Sequence, residues 1–154
     1  MQLHNIKNYI LLLLIGIVFC TCSKEKFEAT VPTYITINDI TLSTNQSTQG
    51  AATENITDAW VFVNDNLMGV YELPATFPVL VEGNVSVKVF AGIKDNGVST
   101  FRKRYLMFDP YQENVNLVPG ESITLTPTVT YNSGVQFKWM EDFENASLSF
   151  LYHA

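Results

Sequence analysis

Residues 84–92 read NVSVKVFAG, and this stretch decides the fold. Val85, Val87 and Val89 alternate with Asn84, Ser86 and Lys88. A period of two, with β-branched residues on one side, predicts a strand half-buried on a sheet. Outward from it the chain keeps to short β-type runs divided by Asn, Asp, Gly and Pro, and no run downstream of Val31 sustains a helical period. After the valine strand, Lys94-Asp95-Asn96-Gly97 supplies turn chemistry, and VSTFRKRYLMF (98–108) is expected as one further strand with both faces partly apolar.

Working upstream, AWVFVND (59–65) and LMGVYEL (67–73) flank an Asn64-Asp65-Asn66 turn and predict a hairpin, from which the proline-bounded PATFPVLVEG (74–83) leads on. Earlier, YITINDITL (34–42) places Ile35 and Ile37 on one face and recovers with Ile40 and Leu42 after an Asn38-Asp39 interruption, the mark of a bulge or turn. The polar stretch 43–55, STNQSTQGAATEN, is expected as an exposed loop, either a contact site or a tolerated insertion. Downstream, ENVNLVPGESITLTPTVTY (113–131) predicts two strands around Pro119-Gly120. In the second of them Ile123, Leu125 and Val129 face one way, and Thr124, Thr126, Thr128 and Thr130 the other. Roughly eight short strands at this spacing predict an all-β fold, an antiparallel β-sandwich over residues 32–131.

The first 21 residues read differently: a polar MQLHNIKN with one cation, Lys7, then YILLLLIGIVF from 9 to 19. That apolar run is too short for a bilayer-spanning helix, which takes about 20 residues, and its flanks fit a cleaved export signal. Cys20 and Cys22 are the only cysteines, too close for an ordinary disulfide and without the further ligands of a zinc site. The segment FCTCSKE resembles a lipobox, and Thr21 before Cys22 fits that pattern better than Phe19 before Cys20. The resemblance implies cleavage between Thr21 and Cys22 and acylation of Cys22. It makes 1–21 a lipoprotein signal peptide and 22–31 the lipid anchor and tether. The charged SKEKFEA that follows is similar to the export tether of Bacteroidota lipoproteins, which implies an outer-membrane, lipid-anchored protein exposed at the cell surface.

A second resemblance lies in residues 60–89. The order of hydrophobic strand, Asn-Asp-Asn turn, Gly69, strand, Pro74, Glu82-Gly83 and valine strand is similar to a PEGA-type repeat of bacterial envelope proteins. With GIKDNG (92–97), the chain resembles Flavobacteria-type lipoproteins in which such a domain precedes a second β-domain. This implies an immunoglobulin-like or PEGA-like sandwich with a binding or structural role. Residues 132–154, in which VQFKWM (135–140) begins as a strand, are then either a last strand or the start of a truncated second domain.

Composition narrows function further. The chain is 47% hydrophobic and 16% charged, with a net charge of −6 that becomes −7 when Lys7 leaves with the signal, so no basic field exists to draw nucleic acid. Past the signal the only histidine is His153 near the chain end, and no serine sits in a nucleophile elbow. The carboxylates Asp95, Asp109 and Glu113, and the cluster Glu141, Asp142 and Glu144, are expected as solvated turn residues rather than a catalytic pair. Asn64-Asp65-Asn66 and Lys94-Asp95-Asn96-Gly97 lack the dense alternating acids of a calcium loop. No catalytic residue, metal or cofactor is expected.

Aromatics, at 12% of the chain, remain as a sugar-stacking resource. Trp60 inside AWVFV is expected in the core, whereas Tyr111 beside Pro110 and Trp139 beside the acidic turn are the candidate binding residues. Arg102-Lys103-Arg104 could meet an acidic ligand, but it lies on a strand whose outward positions carry charge in any case and is expected as a solvated edge. The expectation is a non-enzymatic binding or structural module, held to the membrane by lipid and directed at glycans or other envelope proteins. A carboxylate-based glycan hydrolase fragment and a spacer domain of a longer lipoprotein are the alternatives.

Overall fold

The computed structural model describes residues 29–140. The signal, Thr21 and Cys22, most of the tether, the acidic cluster from Glu141 and His153 lie outside them. The described chain is all-β: β1 (Thr33–Ile37), β2 (Thr41–Ser43), β3 (Asp58–Val63), β4 (Asn66–Glu72), β5 (Ala75–Val79), β6 (Gly83–Lys94), β7 (Arg102–Arg104), β8 (Phe108–Asp109), β9 (Tyr111–Leu117), β10 (Ser122–Leu125) and β11 (Thr128–Tyr131). Single helical turns sit at Gln46–Gln49, inside the polar loop, and at Asp95–Gly97.

The strands form three sheets, ordered β10-β1-β5, β2-β11-β8 and β4-β3-β6, with β7 and β9 sharing the far edge of β6. Pairing is antiparallel except in two ladders, β1 with β10 and β2 with β11, which run parallel. Both strand pairs break at the same level. Pro127 has no N–H to offer a ladder and interrupts β10–β11, while its carbonyl accepts from Thr41 N at 3.0 Å. Ile37 lies opposite Leu125 but Thr41 opposite Thr128, so the β1–β2 side carries one extra residue. That extra residue is why Ile37 and Ile40 both stay buried despite their opposite phase.

Buried side chains from all three sheets meet in one cluster: Ile35, Ile37, Phe77, Val79 and Leu125 from the first, Leu42 and Val129 from the second, Ile40 from the link between β1 and β2, and Ala59, Val61, Val63, Val85, Val87, Val89 and Leu117 from the third. Strand alternation then places Trp60 and Phe62 on the opposite face of β3 from Val61, so that Trp60 is half-buried there rather than in the core as expected.

The turns follow their residues. Asn64 and Asp65 both take positive φ, 49° and 62°, the requirement of a two-residue hairpin turn. At Pro119-Gly120, Glu121 N donates to Val118 O at 3.1 Å and Gly120 has φ 84°, a type II arrangement. Two expectations need correction. VSTFRKRYLMF is not one strand: β7 ends at Arg104, Tyr105 to Met107 turn away with Leu106 77% exposed, and β8 begins at Phe108. The edge of β6 explains it, since β9 occupies residues 83–89 of that edge and β7 can follow it only over 92–94. VQFKWM (135–140) also carries no strand, although Phe137 packs edge-on against Tyr131 at 4.8 Å.

The domain has two distinct ends. Thr33 opposite Val79, Gly83 opposite Leu117 and Tyr34 opposite Ser122 gather the start of the folded chain at one end. The last residues of β6 and the loop before β3 stand at the other, where Thr57 N donates to Gly92 O at 3.1 Å.

Candidate functional site

At that second end the chain leaves a cleft of about 660 Å³, lined by Thr53, Glu54, Asn55, Ile56 and Thr57, by Ile93, Lys94 and Gly97, and by Tyr105, Phe108 and Tyr131. Its size falls within the range of small-molecule sites, about 300–1,000 Å³. Four separate segments build it, and each is fixed locally. Tyr105 is held where the chain leaves β7, its N donating to Ala91 O at 2.8 Å. Phe108 and Tyr131 are direct cross-strand partners in the β8–β11 ladder.

One wall is aromatic. The rings of Tyr105 and Phe108 lie 4.5 Å apart, those of Phe108 and Tyr131 5.0 Å apart, and Phe137 extends the row behind Tyr131. Their tilted and edge-to-face geometry locks the rings against one another. Burial pushes the Tyr131 phenol above its ordinary pKa, and the neighbouring Tyr105 adds to the shift, so this hydroxyl stays protonated and able to donate. The Tyr105 hydroxyl donates to Met107 Sδ at 3.4 Å.

The rest of the lining is largely polar. Thr53, Glu54 and Asn55, the last residues of the 43–55 loop, bring a hydroxyl, a carboxylate and an amide that are exposed to solvent. Lys94 is steadied from behind by charge: its Nζ lies 3.3 Å from Glu72 Oε1, and Arg102 Nη2 donates to Glu72 Oε2 at 2.9 Å. Arg102 Nη1 continues the chain to buried Asp58. A row of mutually tilted rings lining one cavity with hydroxyl, amide and carboxylate groups suits a ligand with an apolar face and a rim of hydroxyls. Glu54 is the one carboxylate among the residues that line it.

The residues expected from sequence to bind lie elsewhere. Tyr111 opens β9 directly opposite Val89, so its ring points toward the core, partly buried against it. Its hydroxyl donates to the Glu113 carboxylate, and burial, then that hydrogen bond and charge, push its pKa up to about 12. Trp139 is 54% exposed beyond β11 and does not line the cleft. Among the described residues no three His, Cys, Asp or Glu side chains gather as a metal site, and Asp65 is engaged with Lys88 at 2.5 Å. The one signal in the sequence for the aromatic row of the cleft was aromatic residues at strand ends beside turns, as with Tyr131 before Asn132-Ser133-Gly134.

No protein family, no curated protein and no solved structure matches the chain, so what the cleft does rests on its own geometry.

Proposed function

We propose that this chain is a lipid-anchored binding module of the bacterial cell envelope, an immunoglobulin-like or PEGA-like β-sandwich that takes a neutral saccharide in the cleft of Tyr105, Phe108 and Tyr131. The observation that carries the reading is the cleft itself, lined by an aromatic row together with Thr53, Glu54 and Asn55 at the end of the domain remote from Thr33. A pyranose offers that combination, an apolar ring face for stacking and hydroxyls for the polar side. Glycan hydrolysis by carboxylates takes two such groups across the bond, and the cleft wall supplies Glu54 alone, which favours binding.

The position of the cleft agrees with a tether at Cys22. The about eleven residues from Cys22 to Thr33 extend at most roughly 40 Å, and they join the domain at the end where β6 begins. The 12 residues of β6 then carry the cleft roughly 40 Å further from that end. A ligand on the far side of the anchor is met without approach to the bilayer.

Two experiments test this reading. Labelled palmitate is expected to enter the wild type and not Cys22→Ala, and protease added to intact cells is expected to remove the domain. A panel of neutral oligosaccharides of glucose, mannose and N-acetylglucosamine, offered to the full-length protein in detergent, is expected to yield a ligand whose binding Glu54→Gln or Asn55→Ala weakens. Label retained by Cys22→Ala overturns the anchor, and a panel without any ligand overturns the cleft.

A further inference from the structure

We propose that the outer face of the third sheet is a second binding surface, for a saccharide chain that carries carboxylates. Trp60 and Phe90 are cross-strand partners on that face, and Phe62 meets Phe90 edge-on at 5.4 Å. Arg104, opposite Gly92 on β7, lays its guanidinium over both neighbours, 4.9 Å from the Phe90 ring centre and 5.9 Å from that of Trp60. A guanidinium held over aromatic rings is retained by cation–π attraction and keeps its N–H groups for an acceptor.

Charge singles out this residue. Lys88, Lys94, Arg102 and Lys103 each lie within ion-pair distance of a carboxylate, on Asp65, Glu72, Asp58 and Asp95 respectively. Arg104 has no such partner among the described residues and is exposed, the one cation of this sheet left uncompensated. With a net charge of −6 the chain has no general attraction for acids, so an acidic ligand must be recognised by this local group. A carboxylate is the planar acceptor that a stacked guanidinium holds with two parallel hydrogen bonds.

The remainder of the face argues for a saccharide. Continuing along β6 from Phe90, the outward side chains are Lys88 and Ser86, with Gln112 and Asn114 opposite them on β9. Gln112 Nε2 donates to Ser86 Oγ at 3.0 Å, which sets an amide and a hydroxyl side by side. An apolar aromatic cluster, amides and hydroxyls for ring hydroxyls, and one guanidinium for a carboxylate together describe a uronic-acid chain. The distance from the Gly92 row to the Lys88 row, roughly 13 Å along the strand, calls for an oligomer rather than a single ring. This surface and the cleft are separate, and neither assignment depends on the other.

The test uses the full-length protein with Trp139→Phe, which leaves Trp60 as the sole tryptophan. Trp60 emission is titrated with oligogalacturonate and with a neutral galactose oligomer of equal length. The expected result is a saturable change with the uronate alone, weakened about tenfold or more by Arg104→Gln, the usual loss for a charge-assisted hydrogen bond. Arg104→Lys keeps the charge without the planar fork and is expected not to restore it. Gln112→Ala, on the β9 side, is expected to weaken binding as a second, independent variant, while Glu54→Gln in the cleft leaves it unchanged. No response to the uronate, an equal response to the neutral oligomer, or an affinity indifferent to both Arg104→Gln and Gln112→Ala overturns the proposal.

Discussion

The guanidinium of Arg102 on β7 reaches across β6 to the carboxylate of Asp58 on β3, which is fully buried, with 0% of its surface exposed. Thr57 Oγ1 donates to the other carboxylate oxygen at 2.7 Å, so both oxygens of Asp58 are satisfied. Glu72 shares the same arginine, and through Lys94 the network reaches the rim of the cleft. Within the basic edge expected from sequence, Lys103 and Arg104 are exposed, whereas Arg102 is turned to bracing.

Removing one partner of such a pair leaves an uncompensated charge out of water. Arg102→Ala is expected to destabilise the domain by about 3 kcal/mol, the low end for breaking a buried pair, because Arg102 keeps 26% of its side-chain surface exposed. Urea unfolding reads this as a lower midpoint at unchanged slope. The double variant Asp58→Ala, Arg102→Met is expected to recover most of the loss, since it removes the orphaned charge. A midpoint that Arg102→Ala leaves unmoved contradicts the bracing role.

Gly92 is the closest approach in the same region. A Cβ there meets Asp58 Cβ at 2.8 Å, Asp58 O at 3.0 Å and Trp60 Cδ1 at 3.0 Å, and none of these is a flexible side-chain tip. Gly92→Ala is expected to cost about 1–3 kcal/mol through overpacking, measured by thermal or urea unfolding. A neutral outcome shows that β3 and β6 can separate at this point without loss.

Tyr111 makes stability depend on alkaline pH. Its pKa is raised from 10.0 to about 12, chiefly by burial and then by Glu113, so the folded state favours the protonated phenol. The corresponding stabilisation is complete below pH 10 and is lost as pH rises from 10 toward about 12. Tyr111→Phe is expected to flatten that part of the stability profile without abolishing the fall, because burial also raises the Tyr71 and Tyr131 phenols. Unfolding by urea at several pH values between 9 and about 12 checks the slope, and an identical slope in Tyr111→Phe contradicts the assignment.

Local chemistry made much of this fold legible. Period-two patterning located the buried Val85, Val87 and Val89, and Ile35, Ile37, Ile40 and Leu42 with their interruption. Turn residues located Asn64-Asp65 and Pro119-Gly120. Partner choice was not legible, because the parallel pairing of β1 with β10 joins residues nearly ninety positions apart, as Tyr34 and Ser122 show. Nor could local pattern reveal that β7 and β9 compete for one edge of β6, which is what turns the chain outward at Leu106. The cleft was hidden for the same reason: its lining runs from Thr53 to Tyr131, and only tertiary pairing brings those segments together. Tyr111 drew attention through its neighbour Pro110, but register against Val89 aims it inward.

The claim that the cleft holds a saccharide is tested most directly by calorimetric titration of the full-length protein with the best neutral oligosaccharide of the panel, in wild type, Glu54→Gln and Tyr131→Ala. The account predicts saturable heat for the wild type and an affinity about tenfold lower for each variant, consistent with loss of a charged acceptor or of an aromatic contact. Binding that persists undiminished in both variants, with each shown to be folded by its thermal transition, contradicts it.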